Sequence, residues 1–181
     1  MDEVSIYHCD GKRAWSYFAR HHYLSGTYHG HGAMCAVFND QLIGFTSFIS
    51  HPSGTIPQPA RRAHRTVILP DYQGMGIGVR LSDFMGAYTL GEGYRFFSKT
   101  SHPRMGAYRD ASPLWKPTTK NHVARLDSNH GTRWAVKRGV AFSHEFIGND
   151  PQTYEDVLKI VKGAEEGQDT LWEMFANEET N

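Results

Sequence analysis

Arg65-Thr66-Val67-Ile68-Leu69-Pro70-Asp71-Tyr72-Gln73-Gly74-Met75-Gly76-Ile77-Gly78 decides the fold. A β-branched run reads as a strand, Pro70 stops it, a glycine-rich turn follows, and a helix is expected from Val79 onward. A strand feeding a helix through so little side-chain bulk leaves backbone N–H groups unpaired and aimed at one spot. The helix dipole adds partial positive charge there, so the turn suits a phosphate or pyrophosphate. Glycines 74, 76 and 78 permit close approach and, where required, positive φ.

Two common phosphate loops do not fit. No lysine follows the glycines, as a P-loop requires. The third spacing in Gly74-x-Gly76-x-Gly78 is wrong for the dinucleotide fingerprint, and the next strand candidate, ending at Ser98, leads into Lys99 instead of an acidic residue. The pattern that fits is Gln/Arg-x-x-Gly-x-Gly/Ala after a strand ending in Val/Ile-x-Pro. Ile68-Leu69-Pro70 and Gln73-Gly74-Met75-Gly76-Ile77-Gly78 supply it. The stretch resembles the pyrophosphate loop of the GNAT superfamily of acyl-CoA-dependent N-acyltransferases.

Working outward, 181 residues suffice for one well-cored domain and not two. No apolar run approaches the roughly 20 residues of a membrane span, and Met1-Asp2-Glu3-Val4 lacks signal-peptide character. Cys9 and Cys35 are the only cysteines, so a reducing cytoplasm is the default expectation. Formal charge is zero but unevenly placed. Between residues 95 and 138 ten Lys and Arg face only Asp110 and Asp127, whereas from Ser143 onward Lys159 and Lys162 face ten carboxylates. Either an anionic partner or pairing of a basic face with an acidic tail would account for this.

The periodicities predict strands at Ser5 to His8, Ala33 to Phe38, Leu42 to Ile49, His64 to Leu69 and Tyr94 to Ser98. Two more are expected at Arg133 to Val136 and Ala141 to Ile147. Helices are expected at Lys12 to Tyr23, Val79 to Gly91, Pro103 to Asp110 and Pro151 to Val161, the last beginning near the N-cap Asp150. His51 to Arg62 and Ser112 to Thr132 read as loops, and Asn39-Asp40-Gln41 as a hairpin connection. The order β-α-β-β-β-α-β-α-β-β implies an α/β fold with one mixed, mostly antiparallel sheet flanked by helices, as the GNAT resemblance also implies. Residues 1–150 would form the domain, with a basic insertion at about 112–132, and 151–181 an acidic helical extension of it.

The resemblance further implies which residues do what. The cosubstrate would be acetyl-CoA or another acyl-CoA, held by Gln73, Gly74, Met75, Gly76, Ile77, Gly78 and Val79. Its pantetheine arm would lie along Thr66, Val67 and Ile68, with the Ile68 N–H polarising the acyl carbonyl. The family places an asparagine after the next strand and a tyrosine seven residues later. Ser101 and Tyr108 have that spacing, which makes Tyr108 the candidate proton donor and Ser101 a substitute for the asparagine. The family's glutamate base has no counterpart; His64 and His102 are the candidates near neutral pH.

His21, His22 and Tyr23 would wall the acceptor pocket. His21, His22, His29 and His31 with the isolated cysteines do not have a recognised zinc spacing, and no metal is expected. For the acceptor, a small-molecule or protein amine is the main expectation. Aromatics interleaved with cations between residues 95 and 138, including Lys116, Lys120 and Arg125, would also suit DNA or RNA. Phe97-Ser98-Lys99-Thr100-Ser101 before a long polar insertion is similar to the Mom-type branch of the fold, which modifies adenine in DNA. A binding module without turnover is the third reading. No membrane partner is expected, and the chain would act as monomer or homodimer.

Overall fold

The computed structural model describes residues 4–22, 27–52, 55–56, 58–126, 137–148 and 150–165. Strand β1 (Ser5–His8) leads through Asp10 into α1 (Gly11–Phe18), whose first amides, on Lys12 and Arg13, the Asp10 carboxylate caps at 2.8 and 3.2 Å. A short 3₁₀ turn (Ala19–His21) follows. Then come β2 (Gly32–Phe38), β3 (Gln41–Ser50) and β4 (Ala60–Ile68). Asn39 and Asp40 both take positive φ, 48° and 57°, which suits a tight hairpin between β2 and β3. A second 3₁₀ turn (Pro70–Tyr72) precedes α2 (Ile77–Gly91). The remainder is β5 (Arg95–Thr100), α3 (Pro103–Ala111), β6 (Trp115–Pro117), β7 (Val123–Leu126), β8 (Lys137–Phe146) and α4 (Pro151–Glu165).

The sheet runs β1-β2-β3-β4-β5-β8-β6, with β7 paired to β8 off this path. Only β4–β5 is parallel, so the sheet is mixed and mostly antiparallel, as expected. Alternation along the central strands divides the core between two faces. Cys35, Phe45 and Val67 pack with Trp15 and Phe18 of α1 on one face. On the other, Ala36, Ile43 and Ile68 pack with Leu81, while Met85, Phe96 and Phe146 form a neighbouring cluster joined by Val157 and Val161 of α4. The α2 helix lies so close to β8 that a Cβ on Gly86 would sit 2.5 Å from the Phe146 ring.

Several boundaries differ from those expected. Regular α-helix stops at Phe18, and Tyr23 lies outside the described residues. The span from His51 to Arg62, read as loop from its prolines, gives its last three residues to β4, where Ala60, Arg61 and Arg62 pair with Arg95, Phe96 and Phe97. Arg61 is accommodated by lying over Phe48 and Tyr94, at 4.3 and 3.9 Å from their ring centres. Residues 112–132, read as one loop, contain β6 and β7; their polar side chains hid strands whose backbones are held by β8. The strand expected at 133–136 lies outside the described residues.

One irregularity positions the site. Phe48 pairs with Ala63 but Ser47 pairs with Arg65, so His64 is an extra residue in β4. Pairing of β4 with β5 ends one residue earlier, at Arg62 and Phe97. A bulge bends its strand and increases local twist, and here β4 and β5 part at the bulge, opening a wedge between them.

Candidate active site

The wedge exposes one edge of β4. The amide of Leu69 donates to Ile43 O at 2.9 Å and that of Arg65 to Ser47 Oγ at 3.3 Å, both on β3. Backbone groups alternate along a strand, so Thr66 and Ile68 direct theirs the other way, into the wedge. The Ile68 carbonyl on this edge accepts from Gln73 Nε2 at 2.8 Å, tying the glycine turn back to β4. Tyr72 adds a tie to β3 through Gln41 Oε1 at 2.9 Å.

Beyond Gln73 the backbone turns through Gly74 and Gly76 at φ 85° and 79°, a left-handed conformation that glycine adopts without strain. Gly76 is the N-cap of α2 and supplies no capping side chain; intrahelical bonding begins with Arg80 N to Gly76 O at 3.2 Å. Among the described residues nothing accepts from the amides of residues 74–79. A Cβ built on Gly74 or Gly76 meets nothing within 4 Å. Open space beside a set of unpaired amides at a helix N-terminus fits a pyrophosphate. Gly78 serves packing instead: its Cβ would lie 3.4 Å from Ile68 Cγ1, holding α2 against β4.

Wedge and turn share a cavity of about 530 Å³. Its lining includes the glycine turn, with Met105 beside Gly78, and Arg104; it also includes His21, His22, His64 and Arg65, with His22 and Arg65 close enough to act on His64. His64 contacts the Tyr28 ring (centroids 5.4 Å apart), and its Nε2 accepts from the His29 amide at 3.4 Å. Burial, reinforced by Arg65, His29, Arg62 and His22, lowers its pKa to about 4. The ring is therefore neutral at physiological pH.

Arg109 of α3 also lines the cavity yet is only 3 % exposed. Its Nη2 donates to Ser82 Oγ at 2.8 Å and its guanidinium lies 4.4 Å from the Trp115 ring centre. Burial lowers its pKa to about 10, against the favourable pull of Asp83 and Tyr108. Beneath it, Asp83 accepts from the Tyr108 hydroxyl and from Trp115 Nε1. Burial raises the Asp83 carboxyl even so, and burial together with the Asp83 bond raises the Tyr108 phenol, which keeps its proton.

The model of the acetyltransferase (GNAT) family matches residues 5–110. This chain belongs to the GNAT family. Membership makes it an acyl-CoA-dependent N-acyltransferase. No curated protein sequence matches it. Its fold is similar to that of the NatC complex bound to Gag peptide and CoA (14 % identity, TM-score 0.56, 81 % of this chain and 99 % of that one). A GNAT-family acetyltransferase from Streptococcus pneumoniae (10 %, 0.55, 81 % and 100 %) is similar too. So is the ribosomal-protein-S18-alanine N-acetyltransferase from Escherichia coli (13 %, 0.52, 83 % and 96 %).

Of the residues singled out from the sequence of this GNAT protein, Thr66, Val67, Ile68, Gln73, Gly74, Gly76, Gly78, Val79, His21, His22, His64 and His102 line the cavity. His102 is partly engaged elsewhere: its Nδ1 accepts from Met105 N at 3.3 Å and caps α3. Others stand apart from the lining. Met75 is 67 % exposed, and Ile77 packs against the cluster of Ile68 and Leu81. Ser101 is exposed at the strand-to-helix junction, and Thr100, the last residue of β5, takes the lining position. Tyr108 is turned to Asp83. Lys116 is exposed on β6, across β8 from β5, Lys120 is exposed beyond it, and neither lines the cavity. Nothing is described of the Arg125 side chain, and Tyr23 lies outside the described residues. Sequence reading missed Arg109, Lys99 and Arg104 as cavity residues. The signal for Arg109 was its position one helical turn (i+4) after Met105, which shares its face.

Proposed function

We propose that this chain transfers an acyl group from acyl-CoA to an amine docked at the His21, His22, His64 and Arg65 end of the cavity. The observation that carries this is the parting of β4 from β5 at Arg62 and Phe97, which joins the glycine turn and the histidine end through one open backbone edge.

The amides of residues 74–79 hold the pyrophosphate, and Arg104 adds positive charge nearby. The bound cosubstrate supplies an acyl group already activated as a thioester. The outward amides of Thr66 and Ile68 pair with its amide-bearing arm and donate toward the carbonyl oxygen. The amine nitrogen forms the new bond to the carbonyl carbon as the carbon–sulfur bond breaks, and the proton lost by the amine balances the one gained by the thiolate. His64 is neutral in the field of Arg65 and Arg62, and the one lone pair of its ring, on Nε2, reaches the amine when its long bond from the His29 amide opens. The same field disfavours an ammonium ion, so the amine is held in its reactive form without a carboxylate base.

Tyr108 stands at the family's tyrosine position, and serving as proton donor requires its bond to Asp83 to open. Part of the basic segment is used within the domain, while Lys116 and Lys120 are exposed. Arg95 is bound to Glu145 at 2.6 and 2.7 Å, Arg109 is buried, and Lys99 and Arg104 face the cavity. This favours a discrete amine acceptor over a strand tracked along residues 95–138.

The test is thiol release from acetyl-CoA with mass spectrometry of amino acids, peptides, polyamines, nucleotides and oligonucleotides. An acyl mass increment on an amine, matched to thiol release, is expected. Increments confined to oligonucleotides would transfer the assignment to nucleic-acid modification. Tight acetyl-CoA binding with no increment anywhere would leave a binding module.

A further inference from the structure

The charge of the acceptor end narrows the acceptor, given the acyl-transfer reading on which this rests. Among the described residues, the cavity is lined by Arg65, Lys99, Arg104 and Arg109 and by no aspartate or glutamate. The glycine-turn amides follow Ile68, whose carbonyl Gln73 holds, whereas Arg65 lies three residues back along β4 from Ile68, roughly 10 Å at about 3.3 Å per residue. Its charge is therefore surplus to what a pyrophosphate at the turn needs.

The bonding of Arg65 also leaves capacity. Nη1 reaches only the carbonyl of the adjacent His64, at 3.4 Å, and the buried Nε has no partner among the described residues. No described carboxylate pairs with the guanidinium, which is steadied instead by the Trp15 face, 5.4 Å from its ring centre. An arginine fork with open donors matches a carboxylate or phosphate in two-point geometry. A docked cation, by contrast, would meet Arg65 with no described carboxylate in the lining to offset it.

We propose that the acceptor is an amine, docked uncharged, on a molecule that also carries an oxyanion, and that Arg65 holds that oxyanion. Polyamines and lysine-rich peptides are excluded by the same field.

Matched acceptor pairs test this on the wild-type protein with acetyl-CoA: glutamate against glutaminamide, a nucleoside 5′-monophosphate against its nucleoside, and a short oligonucleotide, with spermidine as the cationic reference. The oxyanion-bearing member is expected to have kcat/KM about tenfold or more above its neutral partner, as a charge-assisted hydrogen bond provides. Which member reacts separates carboxylate from phosphate, and free phosphate from phosphate in a strand. Arg65→Gln should erase the preference and leave KM for acetyl-CoA unchanged, and Arg65→Lys should restore part of it; should Arg65→Gln not fold, the wild-type pairs still decide. Equal or better use of neutral or cationic amines, or acylation of no oxyanion-bearing amine, overturns the inference. Failure to bind acetyl-CoA would instead strike the acyl-transfer reading beneath it.

Discussion

Tyr108 donates its hydroxyl hydrogen to Asp83, and Trp115 donates to the other oxygen of the same carboxylate at 2.7 Å. One half-buried acid on α2 thereby joins α3 and β6. Replacing Tyr108 with Phe removes a hydrogen bond to a charged, desolvated group, expected to destabilise by about 1.5–3 kcal/mol. Chemical denaturation of the variant measures this. A loss of kcat of about 100-fold with stability held within about 0.5 kcal/mol would instead show that the bond opens and that Tyr108 serves as proton donor.

Glycine substitutions should separate binding from folding. At Gly106 a Cβ would lie 2.1 Å from the Phe142 ring, so Gly106→Ala forces α3 away from β8, at a cost of about 1–3 kcal/mol. At Gly76 the new methyl meets nothing, and the expected penalty is the left-handed backbone alone, about 1–2 kcal/mol. Acyl-CoA affinity, measured on folded protein, should fall for Gly76→Ala and stay unchanged for Gly106→Ala.

The depressed pKa of His64 links folding to pH. In the unfolded chain a histidine protonates near 6.5, whereas in the folded protein His64 does so at about 4. Between these values the unfolded state binds more protons, so stability should fall as pH drops from about 6.5 toward 4. Buried His144 and partly buried His51 have lowered pKa values too and add to the slope. Thermal melts across this range should show a shallower decline in His64→Gln than in wild type, and equal slopes would contradict the burial argument.

Asp110 gathers three partners on its two oxygens: His144 Nε2 at 2.8 Å, His122 Nε2 at 2.9 Å and Asn121 Nδ2 at 2.9 Å. His144 is fully buried, and its Nδ1 has no partner among the described residues. Asp110→Ala would leave this ring without its only partner among the described residues, so a loss of about 1–3 kcal/mol is expected. Calorimetric melting of Asp110→Ala beside Asp110→Asn, which retains an acceptor, measures it.

The cofactor turn was legible because glycine, proline and β-branched residues act locally. Pro70 ends the strand, Gly74 and Gly76 take φ values other residues avoid, and the helix must begin where they stop. The split beside it was not legible. It depends on a one-residue bulge at His64 and on where β5 stops pairing, and neither leaves a trace in composition. Nor were β6 and β7, which are short, polar and defined by what β8 offers their backbones. Arg109 was read as one cation among ten; only tertiary packing sets it under Trp115 in the cavity lining. Counting seven residues from Ser101 found Tyr108, but spacing could not reveal that Asp83 claims its hydroxyl.

Calorimetric titration of acetyl-CoA into the wild-type protein and into Gly76→Glu, with circular dichroism confirming that both are folded, tests the central claim most directly. A glutamate at that position puts a carboxylate into the space beside the amides of residues 74–79. Saturable binding by the wild type and weakening of about 100-fold or more in the variant, roughly 2.7 kcal/mol, is the expected result. No binding by the wild type, or equal affinity in the two proteins, would contradict it.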